Sequence, residues 1–157
     1  MILQIRIATL LGLTLTVGQT FATSYTWQGT TNNNWSTQSN WNPSGTPGSG
    51  DDVSISTGTV NVDVANLTIG MLTASGGRVN VPNGQSLTIS SNSSVTGGGT
   101  LSVSGILTLN GDLTVSGLLD HPTGVIAGPG DITVSGTYSS GSTTCLLYTS
   151  PSPRDGL

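Results

Sequence analysis

Apolar and hydroxyl-bearing side chains alternate in short runs through most of the chain. From Asp52 onward, Val, Ile or Leu residues are separated by single Thr, Ser or Asn residues, as in DVSI, LTI and LTV. Successive side chains of a strand point to opposite faces, so each run buries one row and exposes the other. The pattern predicts an all-β fold of many short strands.

Glycines separate these runs at regular intervals, and glycine permits tight corners. Short, evenly spaced repeats of this kind are typical of β-helices. We predict a right-handed parallel β-helix (a β-solenoid), with roughly three strands and about 20 residues per turn and about five turns. The clearest repeat places leucines at Leu101, Leu107, Leu113 and Leu119 and glycines at Gly105, Gly111 and Gly117.

An antiparallel β-sandwich is the alternative fold, because its strands also alternate and also turn at glycine. Such strands recur about every 8–12 residues and are joined by Asn-Gly or Asp-Gly hairpins. Asn83-Gly84 and Asn110-Gly111 would suit such hairpins. The shorter repeat of this chain leaves too little room for a strand and a hairpin, which favours the β-helix.

The segment 23–50 has a different composition and contains all three tryptophans, Trp27, Trp35 and Trp41. A solenoid needs a terminal cap that covers its first sheet edge and the end of its core. We predict that this segment is the cap, that the tryptophans anchor it, and that 51–144 forms the repeats of a truncated solenoid. A second interpretation is that the three rings form a sugar-stacking platform.

The first 22 residues resemble a secretory signal. Arg6 provides a positive start, Ile7–Val17 is an apolar stretch, and Ala22 is a small residue that suits cleavage. The apolar stretch is shorter than the roughly 20 residues that a membrane span needs. We therefore expect export and no membrane insertion of the mature chain.

The last 13 residues, 145–157, differ abruptly from the repeats before them. Their first eleven residues, CLLYTSPSPRD, read as a translation of a transposase mosaic end joined to a tagmentation adapter. We set this segment aside as adapter-derived when predicting the fold. The single cysteine, Cys145, lies in it, so the rest of the chain has no thiol for a disulfide.

Charged residues make up only 6% of the chain, and the formal net charge is −4. Arg6, Arg78 and Arg154 are the only basic residues besides one histidine. A nucleic-acid-binding protein needs a basic patch or stripe, which this sequence lacks. We expect extracellular polysaccharide or other surface proteins as partners.

Candidate chemistry is sparse, and we predict no catalytic residue and no cofactor. Asp51 and Asp52 are adjacent carboxylates that would suit Ca²⁺ if backbone carbonyls completed the shell. Asp112 and Asp131 follow glycines at expected turns, where Asp is common. His121 has neither a second histidine nor a cysteine nearby for zinc, and we interpret it as a solvated loop residue.

The cap and the first repeat contain the motifs Trp27-x-Gly29, Asn34-Trp35-Ser36, Asn40-Trp41 and Pro47-Gly48-x-Gly50-Asp51-Asp52-Val53-x-Ile55. With these motifs the chain resembles the start of secreted bacterial β-solenoid proteins, including those with autotransporter-associated β-strand repeats, adhesin-like surface proteins and the eight-glycine extracellular domain. That resemblance implies a structural or adhesive role at the cell surface. The alternative is a non-catalytic carbohydrate-binding module at the start of a polysaccharide-active enzyme. YSSGSTT, after Gly136, departs from the pattern and lacks the strand expected of another coil.

Overall fold

The structure is a computed structural model that describes residues 22–141 and the backbone of Cys145–Tyr148. This part of the chain is built from short β-strands and one 3-10 helix, Gln38–Asn40. The strands are β1 Ser24–Trp27, β2 Trp41–Asn42, β3 Asp52–Ile55, β4 Thr59–Asn61, β5 Leu67–Ile69, β6 Leu72–Ala74, β7 Arg78–Val81, β8 Ser86–Ile89, β9 Ser93–Val95, β10 Thr100–Val103, β11 Ile106–Leu109, β12 Leu113–Val115, β13 Leu118–His121, β14 Val125–Gly128, β15 Ile132–Val134, β16 Thr137–Ser140 and β17 Cys145–Tyr148.

Each turn of the chain contributes one strand to each of three parallel sheets. The first sheet contains β3, β6, β9, β12 and β15, and the cap strands β1 and β2 extend it. The second sheet contains β4, β7, β10, β13 and β16, and the third contains β5, β8, β11, β14 and β17. Every pair is parallel except β1 with β2. The prediction of a parallel β-helix of about five turns is confirmed, and the antiparallel sandwich is wrong.

The turns stack in register, so equivalent residues form columns along the solenoid. In the third sheet, Leu67 pairs with Leu87 and Leu87 pairs with Leu107. Across the three sheets one turn takes 18 to 22 residues, as the pairs Thr100 with Leu118 and Arg78 with Thr100 show. Because side chains alternate between faces, this register places most apolar side chains inside and most polar side chains outside.

The core lies between the three sheets and is filled by Val, Leu and Ile columns. Residues such as Ile55, Val79, Leu87 and Leu107 are completely buried. Burying one such side chain contributes about 1.5–3 kcal/mol. The short runs of alternating residues thus form the walls of one continuous apolar interior.

Glycines occupy the corners because successive turns approach closely there. A Cβ atom added to Gly117 would collide with the backbone oxygen of Gly99 in the preceding turn. A Cβ atom at Gly136 would in the same way meet the oxygen of Gly117. The regular glycine spacing in the sequence is therefore a consequence of stacking.

The segment after Gly136 does form a strand, contrary to the sequence pattern. β16 pairs with β13, from Leu118 with Thr137 to His121 with Ser140. Backbone pairing with the exposed edge of β13 suffices for this strand, whose own residues are all exposed. The backbone of Cys145–Tyr148 pairs likewise with β14. The adapter origin of that segment stays a prediction, because an open sheet edge accepts any extended backbone.

We predict that Gly117→Ala destabilises the solenoid while Gly98→Ala does not. The new methyl group at 117 meets the backbone of the preceding turn, whereas at 98 its closest neighbour is the Cα atom of Gly76 at 4.0 Å. Forcing such a contact costs about 1–3 kcal/mol. Thermal unfolding followed by circular dichroism measures both variants. Equal melting temperatures for the two variants would contradict close stacking at this corner.

Candidate functional site

The three tryptophans form the interior of the cap. Trp27, Trp35 and Trp41 are only 3%, 0% and 3% exposed. The ring of Trp41 packs edge-on against the rings of Trp27 and Trp35, with centroid distances of 4.8 and 4.7 Å. The indole nitrogen of Trp35 donates a hydrogen bond to the carbonyl oxygen of Pro47, and that of Trp41 donates to the carbonyl oxygen of Trp35. Since no ring face is open, these rings are packed as anchors and not as a sugar-stacking platform.

Asn40 holds the asparagine-rich loop of the cap together, a role that the sequence analysis missed. Its side chain is completely buried. Its Oδ1 accepts the backbone N–H of Thr31 at 3.0 Å, and its Nδ2 donates to the backbone oxygens of Asn32 and Asn34. Buried polar groups need such partners, so an asparagine between two tryptophans is the sequence signal for this role.

Asp51 and Asp52 act as acceptors for backbone N–H groups. Asp51 accepts from the nitrogens of Thr23 and Gly48 at 3.0 and 2.9 Å, and Asp52 accepts from Met71 at 3.0 Å. Across residues 22–141, no group of three or more His, Cys, Asp or Glu side chains is placed to hold a metal ion. The two carboxylates thus fasten the cap and the first corner of the solenoid.

At the corner before the first sheet, two side chains of later turns repeat the bond that Asp52 makes to the backbone of the next turn. Asn92 Oδ1 accepts the backbone N–H of Asp112 at 3.0 Å, and Asp112 Oδ1 accepts that of Asp131 at 3.1 Å. Each bond therefore links one turn to the next. This Asx ladder gives Asn92 and Asp112 a structural role at the corner, in agreement with the turn interpretation of Asp112.

The outer face of the second sheet brings together three residues that lie far apart in the sequence. Arg78 donates from Nη2 to Ser102 Oγ at 2.7 Å and to Asp120 Oδ2 at 3.0 Å. Ser102 donates to the same Asp120 oxygen at 3.0 Å, and next to them Asn80 donates to Asn61 at 3.1 Å. The spacing of 42 residues between Arg78 and Asp120 spans two turns, so only the register of the solenoid reveals the pair.

This cluster is arranged for rigidity. Ser102 is only 2% exposed, so its hydroxyl group is not open to a substrate. The side chain of Arg78 is 44% exposed and that of Asp120 is 23% exposed. An exposed ion pair contributes little by itself, but the shared serine fixes both partners in one geometry.

The prediction for His121 is wrong, because its side chain is completely buried at the end of β13. It follows Asp120, which points outward and pairs with Ser102, so alternation turns His121 inward. Its Nδ1 lies 3.2 Å from the hydroxyl group of Tyr138, and its Nε2 has no hydrogen-bond partner. The Asp-His-Pro sequence is typical of a loop, but the register of this turn places the His121 side chain inside the solenoid.

In residues 22–141 and the strand 145–148, no helix has the length and apolar character needed to cross a membrane. Three parallel sheets built from stacked turns, together with an aromatic cap, define the class of this protein as a capped β-solenoid. Rows of polar side chains bond to one another on its outer face. The chain belongs to the family of the domain of unknown function DUF8693, whose model matches residues 26–121. The matched residues extend from β1 in the cap to the end of β13. No curated protein matches the chain, and no solved structure does.

We predict that Asp112→Ala lowers the stability of the solenoid, whereas Asp112→Asn leaves it nearly unchanged. Asparagine retains the Oδ1 acceptor for the N–H of Asp131, just as Asn92 already serves one turn earlier. Losing this bond costs about 1 kcal/mol. Urea unfolding measures the difference. A loss of stability in Asp112→Asn as large as that in Asp112→Ala would show that charge, and not the ladder, sets the role of this residue.

Proposed function

We propose that this protein is an exported bacterial scaffold with a structural and adhesive role at the cell surface, and that the described part performs no catalysis. The observation that carries the proposal is the five-turn solenoid, which stacks regular outer rows on a closed aromatic cap. Such a rod extends by repetition and presents flat faces along its length. Extracellular polysaccharide or other surface proteins are the partners that we propose.

The hydrogen bonds that the polar side chains form support a scaffold role. The carboxylates of Asp52 and Asp112 bind backbone N–H groups, and Asp120 binds Arg78 and Ser102. Catalytic carboxylates and nucleophiles need access to a substrate. In this structure those groups instead link one turn to the next.

The first sheet supports an adhesive role. Its outer row carries one hydroxyl group per turn, and none of these hydroxyl groups forms a hydrogen bond within the described residues. The row contains no charge, so it suits an uncharged partner. Its members in register are Thr26, Ser54, Thr73, Ser94, Thr114 and Thr133.

The position of Thr23 supports export with cleavage after Ala22. The backbone nitrogen of Thr23 lies 3.0 Å from Asp51 Oδ1. Cleavage before Thr23 would turn that nitrogen into an α-ammonium group facing a carboxylate. A charge-assisted hydrogen bond is roughly twice as strong as a neutral one, so processing would strengthen the cap.

The proposal is tested by expressing the full chain with a carboxy-terminal tag in a bacterial host. We expect the chain outside the cytoplasm, with Thr23 as the new amino terminus found by Edman degradation. Beads coated with the chain should adhere to polysaccharide-coated or cell surfaces more than beads coated with an unrelated protein. Retention in the cytoplasm with residues 1–22 intact, or adhesion no better than the unrelated protein, would contradict the proposal.

We predict that Asp51→Asn destabilises the chain that begins at Thr23 more than it destabilises the unprocessed chain. The excess should be about 0.5–1 kcal/mol, because only the processed chain loses an ion pair. Asp52→Asn is the matched control, since its partner, the N–H of Met71, is the same in both chains. Chemical unfolding of the four proteins and their two parents measures the difference. Equal effects of Asp51→Asn in both chains would exclude an ion pair at the new amino terminus.

A further inference from the structure

A groove of about 340 Å³ follows the corner between the second and third sheets. It extends over four successive turns, from the residue before β5 to the start of β14. It contains amide, hydroxyl and aliphatic groups and no charged side chain. Its lining residues include Asn66, Asn83, Gln85, Ser86, Ile106 and Val125.

The stacking of the turns creates the groove. Gly105 and Gly124 line it, and a Cβ atom at either position would collide with the backbone of the preceding turn. The corner must therefore be free of side chains at these positions. The neighbouring strand residues do have side chains. The backbone of the glycines therefore forms the bottom of the groove, and these side chains form its sides.

One wall of the groove is aliphatic, although it lies on the outer face of the solenoid. Ile106 is 49% exposed, more than any other large hydrophobic residue in the described chain. In register it pairs with Val125 in one direction and with Ser86 in the other. The neighbouring outward position in β11 is a threonine, Thr108, so Ile106 makes this part of the outer face locally more apolar.

The groove also carries three carboxamides. Asn66 adopts a left-handed backbone conformation with φ of 52°, and its Oδ1 accepts a hydrogen bond from Ser86 Oγ at 3.1 Å. Asparagine adopts this conformation more readily than most other non-glycine residues, so the turn before β5 can present the Asn66 side chain at this position. Gln85 also lines the groove, but its Oε1 is buried without a hydrogen-bond partner and is not accessible to a ligand. The third carboxamide, Asn83, is exposed at the adjoining turn.

We infer that this groove binds a neutral saccharide unit of a polysaccharide. A sugar ring has an aliphatic face that matches Ile106 and Val125, and hydroxyl groups that match carboxamide donors and acceptors. An acidic glycan would have no cationic side chain to pair with, because no charged residue lines the groove. A peptide that adds a strand needs an unpaired strand edge, which this corner does not offer.

The size of the groove agrees with this ligand class. Its volume is at the small end of the range of about 300–1,000 Å³ for small-molecule pockets. The inference extends the adhesive role proposed above by naming a ligand class and a place of contact. It differs from the sugar-stacking interpretation of the tryptophans, which lie in the cap.

Calorimetric titration of the full chain with neutral hexasaccharides of glucose, mannose, xylose and N-acetylglucosamine tests the inference, with an oligogalacturonate as the acidic comparison. We expect at least one neutral hexasaccharide to bind and the oligogalacturonate not to bind. Ile106→Ser should weaken binding roughly tenfold through loss of the aliphatic wall. Asn66→Gly removes a carboxamide while keeping the backbone conformation, and should weaken binding as well.

Met71→Ser is the matched control, because Met71 is also an exposed aliphatic residue, 36% exposed, but does not line the groove. It should leave the affinity unchanged. Circular dichroism and melting temperature verify that all variants fold. The inference would be overturned if the folded chain bound no neutral hexasaccharide or bound the oligogalacturonate preferentially. It would also be overturned if the groove variants bound with the same affinity as the unchanged chain. If the chain is exported and adhesive but binds no neutral hexasaccharide, the proposed scaffold role stands and only the saccharide site in the groove is rejected.

Discussion

Backbone hydrogen bonding between successive turns, in unbroken register, is the constraint on which the rest of the structure depends. Each turn has to return to the same position after 18 to 22 residues, as Thr100 with Leu118 and Arg78 with Thr100 show. Neighbouring strands then lie about 4.8 Å apart. At that spacing, every residue lies directly above its equivalent, so the choice of side chain in one turn restricts the choice in the next.

The same constraint explains features that look unrelated in the sequence. Columns of Leu and Val form the core because like shapes stack well, and glycines such as Gly117 occupy corners where no Cβ atom fits. Asn92 and Asp112 bind the backbone one turn further on, which stabilises the corner before the first sheet. The groove beside Ile106 arises from the glycines of another corner.

The sequence predicts the class of fold well, because alternation and glycine spacing are local signals. The number of turns and the three strands per turn follow from them, and the cap follows from the clustering of all three tryptophans in residues 23–50. The pairing of Arg78 with Asp120, the burial of His121 and the groove do not, because they depend on register between turns whose lengths differ by up to four residues. A shift of a single residue would turn His121 outward and Asp120 inward.

Disulfide trapping between β8 and β11 tests the register most directly. In a Cys145→Ser background, the pair Ser86→Cys with Ile106→Cys and the pair Thr88→Cys with Thr108→Cys should both form disulfides on mild oxidation, detected by mass spectrometry. Both pairs are in parallel register, and stacked Cα atoms about 4.8 Å apart lie within disulfide range. If the strands were antiparallel and Thr88→Cys still cross-linked with Thr108→Cys, Ser86→Cys would lie opposite Asn110→Cys. Cross-linking of Ser86→Cys with Asn110→Cys, and not with Ile106→Cys, would therefore contradict the stacked solenoid.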